Sequence, residues 1–205
     1  MAQDYDAILF DLGNVVLRIH FARCFEHWAR VANRDPREIS ETFVHDEAYA
    51  AHEVASINGS QYHEHVCQLL KIDIPFAEFV LGWNSIFGDP IPETITLIQE
   101  LKPKYKIFAF TNSNELHRPV WEQRYRSELA LFDRVFCSSQ LKLRKPNAEA
   151  FAKICAETGV PKQRIVFIDD TEVNVLGGRT FGFNSVFFAD PMVSTNQIRS
   201  FVMGL

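Results

Sequence analysis

AILFDLGNVV, residues 7–16, decides the fold: four apolar side chains run directly into Asp11, and Gly13 follows two positions later. A short apolar run ended by a turn signal is the pattern of a buried strand, covered on both faces as in a parallel sheet. Asp11 then stands at the carboxyl end of that strand. Open α/β sheets bind their ligands at that edge, because the loops leaving the strands line a crevice there. A carboxylate in such a crevice serves as a nucleophile, as a metal ligand or only as a turn residue, since Asp close to Gly is ordinary loop chemistry. The fragment alone leaves the three open.

Outward from this strand, two patterns divide the chain. After Val16 the spacing turns helical: Phe21, Cys24, Phe25, Trp28 and Val31 recur at intervals that put them on one face of an amphipathic helix. Asp35-Pro36 opens a second helix, by the rule of a capping residue followed by Pro, and this helix runs to about Val44. Ser60 caps a third that ends near Leu70. Pro75 starts a fourth, with Phe76, Phe79, Val80, Trp83 and Phe87 on its inner face. These make a small helical bundle, reached through a short connection at Arg18 to His20 and left through a rigid, hinge-like GDPIP at residues 88–92. From Ile91 onward helix and strand alternate, which signals a parallel sheet with helices on both faces. Expected strands are Lys106–Thr111, 134–138, Ile165–Asp169 and 185–188, and expected helices 95–101, 116–125, 147–158 and 173–180. The predicted fold class is α/β, with a core at residues 1–17 and 90–205 and a helical cap at 18–89.

Composition narrows the function. A chain of 205 residues holds one good core plus a small second unit. Hydrophobic residues make up 47% and eighteen residues are Phe, so an ordered core is expected. The net charge of −5 is mild, and no basic stripe with interleaved aromatics appears; KLRK, residues 142–145, is too short to be one. Nucleic acid is therefore not an expected partner. Cys24, Cys67, Cys137 and Cys155 form no CxxC pair and read as small buried hydrophobes in a reducing compartment. MAQDYDA at the N-terminus has no basic region followed by a long apolar run, and no stretch reaches the length of a membrane span. The expectation is a cytoplasmic protein with no membrane partner, a monomer or homodimer, in which the triplet Asn58-Gly59-Ser60 is a chance glycosylation match.

Polar residues gather just past three strand ends: Asp11 after AILF, Thr111 and Asn112 after KIFAF, Asp169 and Asp170 after IVFI. Lys145, followed by Pro146, lies in the loop before the helix that starts at Asn147. Singly these are turn, lead-in and cap residues. Gathered at one edge of one sheet, they suit phosphoryl transfer. Mg²⁺ takes hard oxygen ligands and keeps several waters, so carboxylates of Asp11 and Asp170 with the Gly13 carbonyl are a sufficient protein share. Asp11 can then attack phosphorus and form an aspartyl-phosphate. Thr111, Asn112 with neighbouring backbone N–H groups, and the Lys145 ammonium would hold the transferring oxygens.

FDLGN (residues 10–14), FTNSN (110–114), RKP (144–146) and FIDDTEVN (167–174) resemble, in order, the four motifs of the haloacid-dehalogenase superfamily. The likeness spans the chain, including a helical cap between the first two motifs, and is nearest to a bacterial helical-cap subgroup that includes α-D-glucose-1-phosphate phosphatase. It implies Asp11 as nucleophile, Thr111 and Lys145 as phosphate holders, and Asp170 as a metal ligand with Asp169 beside it. Two positions depart from the pattern. Most phosphatases of the superfamily carry a second Asp as general acid where this chain has Gly13, and a further acid of the last motif is Asn174 here. His20, His52, Glu53 and His117 are candidates to replace the missing acid. Arg18 and Trp83 are candidates to touch substrate, with Trp83 reading better as core. The expected activity is Mg²⁺-dependent hydrolysis of a small phosphorylated metabolite, a sugar phosphate such as glucose 1-phosphate. Metal-independent haloacid dehalogenation through the same Asp11, and a non-catalytic binding protein, are the alternatives.

Overall fold

The structure is a computed structural model and describes residues 5–204; the readings of residues 1–4 and of residue 205 lie outside the described residues. The chain runs β1 (Ala7–Phe10), β2 (Leu17–Ile19), α1 (Phe21–Ala32), α2 (Pro36–Thr42), α3 (Glu47–Glu53), α4 (Gly59–Leu70), α5 (Phe76–Asn84) and β3 (Phe87–Pro90). It continues through α6 (Pro92–Leu101), β4 (Lys106–Thr111), α7 (Arg118–Arg124), α8 (Arg126–Leu129), β5 (Arg134–Cys137), α9 (Ser138–Leu141) and α10 (Ala148–Thr158). The last elements are β6 (Ile165–Asp169), α11 (Glu172–Phe181), β7 (Asn184–Phe187) and α12 (Pro191–Met203).

Strand β1 is the middle of a five-stranded sheet in the order β5-β4-β1-β6-β7, all parallel. Its four residues are fully buried, as a central strand covered on both faces requires. Successive side chains point to opposite faces, and the two halves of the core divide that way. Ile8, Phe10, Ile107, Ala109, Val166 and Ile168 face α6 and α12, packing with Leu97, Ile98, Ile198 and Val202. Ala7, Leu9, Phe108, Phe110, Ile165 and Phe167 face α10, where Phe151 and Ile154 meet them. Much of the phenylalanine content is this second face: rings 151, 167, 181 and 183 contact one another at 5.1 to 6.0 Å.

Helices α1 to α5 leave and rejoin the core through β2 and β3, which pair antiparallel as a two-stranded ribbon. Residues 88–90 of the segment expected to be a hinge-like connection are thus strand, and Pro92 already starts α6. Phe87 belongs to that ribbon, not to the face of α5, and Phe76 at the start of α5 is 42% exposed. The third expected helix is capped by Asn58 rather than Ser60: Asn58 and Gln61 form a reciprocal capping box. A helix not foreseen, α3, starts at Asp46, whose side chain accepts from the Tyr49 N–H. Trp28 lies stacked between Phe79 and Trp83, with ring centroids 4.9 and 5.7 Å away. Trp83 is fully buried in this aromatic cluster, as a core residue. The helical layer is tied to the sheet by the Ser138 hydroxyl on the Glu53 carbonyl (2.7 Å), the Gly59 N–H on Glu115 Oε1 (2.7 Å) and His117 Nε2 on the Trp83 carbonyl (3.0 Å).

Candidate active site

Parallel register brings the chemistry to one edge. Phe10 is opposite Ala109 of β4 and Ile168 of β6, so the residues that follow, Asp11, Phe110-Thr111 and Asp169, emerge side by side. The Asp11 N–H donates to the Ile168 carbonyl (2.8 Å), which fixes where its carboxylate starts. Lys145 comes from the loop before α10, and its backbone is clamped by one side chain. Asn112 Oδ1 accepts from the Lys145 N–H (2.9 Å), and Asn112 Nδ2 donates to the Lys145 carbonyl (3.1 Å). The ammonium, 1% exposed, donates to Asp11 Oδ1 (2.6 Å) and to Asp169 Oδ2 (2.7 Å).

Asp169 is fully buried and fully partnered: besides Lys145 it accepts from the Thr171 N–H (2.9 Å) and from Asn174 Nδ2 (3.1 Å). Asn174 thereby orients the carboxylate that orients Lys145. Asp170 accepts from Asn14 Nδ2 (3.2 Å), and Asn14 is held in the left-handed region (φ 52°) with its Oδ1 accepting from the Ile19 N–H (3.0 Å). Sequence reading passed over Asn14. Its signal was the residue type, since Asn tolerates a left-handed turn better than most.

Three carboxylates face one ammonium, and burial with this crowding shifts Asp11 and Asp170. Burial, with Asp169 and Asp170 nearby, pushes Asp11 up to about 7 against the pull of Lys145. Asp170 is raised by burial and by Asp169. Burial works to lower Lys145, but Asp11 and Asp169 outweigh it and hold the ammonium above its usual value. Ionising all three carboxylates against one ammonium is thus costly without further positive charge, and one oxygen from each of Asp11, Asp169 and Asp170 lies within 4.8 Å of the others. A hard divalent cation fits that donor set.

Asp11, Lys145 and Asp170 line a cavity of about 590 Å³, with Gly13, Thr111, Asn112 and Pro146 on the sheet side. Its opposite wall is Phe21, His45, Tyr49 and Glu53 from the helical layer, with Arg144 between. His45 and Tyr49 were missed by sequence reading; the available signal was the four-residue spacing of Tyr49 and Glu53, one face of a helix. Of the four replacement acids, Glu53 and His117 reach the lining, while His20 and His52 do not, and neither does Arg18.

Residues 5–182 match the family model for haloacid dehalogenase-like hydrolases. Three curated relatives align at low identity. The sesquiterpene phosphatase AstK of Aspergillus oryzae is 22% identical over 98% of this chain and 99% of its own. The D-ribitol-5-phosphate phosphatase of Bacteroides thetaiotaomicron is 19% identical over 87% of this chain and 89% of its own. Drimenol cyclase DrtB of Aspergillus calidoustus is 23% identical over 89% of this chain, which spans 34% of that longer protein. Among solved structures, a B. thetaiotaomicron enzyme of the same family, in complex with magnesium and inorganic phosphate, superimposes with a TM-score of 0.75. It is 21% identical and covers 89% of this chain and 93% of its own, a likeness of fold.

Proposed function

The chain belongs to the haloacid dehalogenase-like hydrolases, and on that premise we propose that it is a magnesium-dependent phosphomonoester hydrolase working through an aspartyl-phosphate on Asp11. The observation that carries the reading is the buried Lys145 ammonium held between Asp11 and Asp169 at 2.6 and 2.7 Å, with Asp170 alongside, in a cavity between the sheet edge and the helical layer. Lys145 keeps one Asp11 oxygen fixed and leaves the other for attack. Lys145 and the Thr111 hydroxyl then hold the oxygens of the phosphoryl group while it moves. The Asp11 and Asp170 carboxylates and the Gly13 carbonyl, with Asp169 beside them, are the groups that would hold Mg²⁺. When bound, the ion offsets charge on the phosphoryl oxygens. Haloacid displacement has no need of such a cation, so the three-carboxylate cluster favours the phosphatase over the dehalogenase alternative.

The substrate in this reading is a small phosphorylated metabolite, a sugar phosphate such as glucose 1-phosphate. A cavity of about 590 Å³ under a helical layer suits a small alcohol. The names of two relatives, for ribitol 5-phosphate and for sesquiterpenes, support a small phosphate monoester. The same reading puts the enzyme in the cytoplasm as a monomer or homodimer without nucleic-acid or membrane partners. No helix among the described residues is long and apolar enough to cross a membrane. Purified protein assayed against a panel of phosphorylated metabolites should release phosphate with Mg²⁺ and stop with EDTA. Halide release from 2-haloacids without metal, or no phosphate from any ester, would contradict the reading.

A further inference from the structure

Gly13 has no proton to donate, so a departing alcohol oxygen must find its acid elsewhere in the cavity. Sequence leaves His20, His52, Glu53 and His117 unranked, and the structure separates them. His20 is outside the cavity lining, its ring packed where a Cβ on Gly88 would sit. His52 is also outside it, stacked on Tyr62 with centroids 4.5 Å apart. His117 reaches the lining, but its Nε2 donates to the Trp83 carbonyl and its Nδ1 accepts from Asn114 at 3.2 Å. Burial pushes it down to about 3, so it is neutral with both nitrogens engaged. Two other groups on the same wall are poor donors: burial and Arg144 lower His45, and burial holds the Tyr49 proton well above its usual value.

Glu53 remains, at the end of α3, with its side chain 5% exposed and among the residues of the helical layer that line the cavity. We propose that Glu53 is the group that protonates the leaving alcohol, a role that rests on the phosphatase reading above. Its surroundings suit the task. Arg144 Nε lies 2.8 Å from Oε2, an ion pair that holds the carboxylate in place. The Tyr49 hydroxyl is within hydrogen-bonding reach of the same carboxylate. Burial raises the Glu53 pKa and outweighs the pull of Arg144 and Lys145. In the first half-reaction an Asp11 oxygen bonds to phosphorus as the bond from phosphorus to the alcohol oxygen breaks. That oxygen keeps the electron pair, takes the Glu53 proton and departs as neutral alcohol. Arg144 then offsets the new carboxylate charge. In the second half-reaction Glu53 takes a proton from the water that attacks phosphorus, the bond from Asp11 to phosphorus breaks, and phosphate leaves with both carboxyl groups restored.

The test is kcat/KM across monoesters of graded leaving-group acidity, from nitrophenyl phosphate to sugar 6-phosphates and simple alkyl phosphates, in three proteins. Wild type should show a shallow dependence. Glu53→Gln should steepen it, losing about 10² to 10⁴ in rate with alkyl esters while nitrophenyl phosphate is nearly untouched. Adding Gly13→Asp to Glu53→Gln should restore the poor leaving groups: position 13 has no positive φ, and a Cβ there would sit 3.4 Å from Ile19 Cγ1 and 3.7 Å from Asp11 Oδ2. Equal loss for every ester in Glu53→Gln, the mark of damage to the cavity, would overturn the assignment, and so would an unchanged series. A wild type inert towards all the esters would overturn the phosphatase reading and the inference with it.

Discussion

Asp11 is a carboxylate that folding prefers protonated when no cation is near, and this makes its titration a probe of the site. Its folded pKa of about 7 stands above its ordinary 3.8. The stabilising contribution is therefore complete below 3.8 and is lost as pH rises through about 7. In metal-free buffer the wild-type melting temperature should fall over that window. Asp11→Asn, which cannot ionise, should escape that part of the fall while losing phosphatase turnover. Melting curves from about pH 4 to pH 8 in EDTA check it, and equal falls in both proteins would refute the shift. At Asp170 the loss of one anionic oxygen should weaken cation binding more than substrate binding. Asp170→Asn should need more Mg²⁺ for half-maximal activity and recover in part at high Mg²⁺; a wild-type metal titration would make Asp170 a structural acceptor for Asn14.

Among the elements, the junction of α5 with the loop before α7 governs how the helical layer sits over the sheet. His117 is neutral there, and its folded pKa of about 3 lies below the ordinary 6.5; His52 nearby is held at about 4, also by burial. Depressed histidines contribute stability that is complete above 6.5 and is lost as pH falls through the folded values, because unfolding lets them take up protons. Acid unfolding should accordingly begin below about pH 6.5, and His117→Asn should flatten that limb of the stability profile. An unchanged acid limb would mean that His117 is not the group titrating. Within α1 and α5 the tight point is Gly82, where an added Cβ would come within 2.5 Å of the Trp28 ring. Gly82→Ala should cost about 1–3 kcal/mol in denaturant melts by forcing Trp28 off Phe79 and Trp83; a neutral effect would show that the stack has slack.

For the molecule as a whole, the sheet was legible because central parallel strands are contiguous apolar runs, and AILF, KIFAF and IVFI are such runs with polar residues at their ends. Most of the candidate site was legible for the same reason: Asp11, Thr111, Asn112, Asp169 and Asp170 end or follow those strands directly, and register brings them together. The helical wall was not. Helix α3 is built of EAYAAHE, so short and rich in Ala that its one helical signal is the Tyr49–Glu53 spacing, and Tyr49 stayed unnoticed while Glu53 was one of four unranked acids. Helix α12 went unread because Ser194 and Thr195 fill buried positions while Met192, Val193 and Phe201 are exposed, which inverts the usual amphipathic sign. Asn112, expected beside the phosphate from its place after β4, lines the cavity, and its amide also clamps the Lys145 backbone, a contact no sequence pattern announces. Position along a strand end can be read from sequence, but the direction of a side chain depends on partners far away in the chain.

The central claim, that this chain hydrolyses phosphate monoesters through Asp11 with a divalent cation, is most directly tested by acid-quenching the enzyme during turnover of a phosphorylated substrate and locating any covalent phosphoryl group by peptide mass spectrometry. A phosphoryl adduct is expected on the peptide carrying Asp11, formed with Mg²⁺, absent with EDTA and absent in Asp11→Asn. Steady phosphate release with no adduct on Asp11, or with wild-type rates in Asp11→Asn, would contradict it.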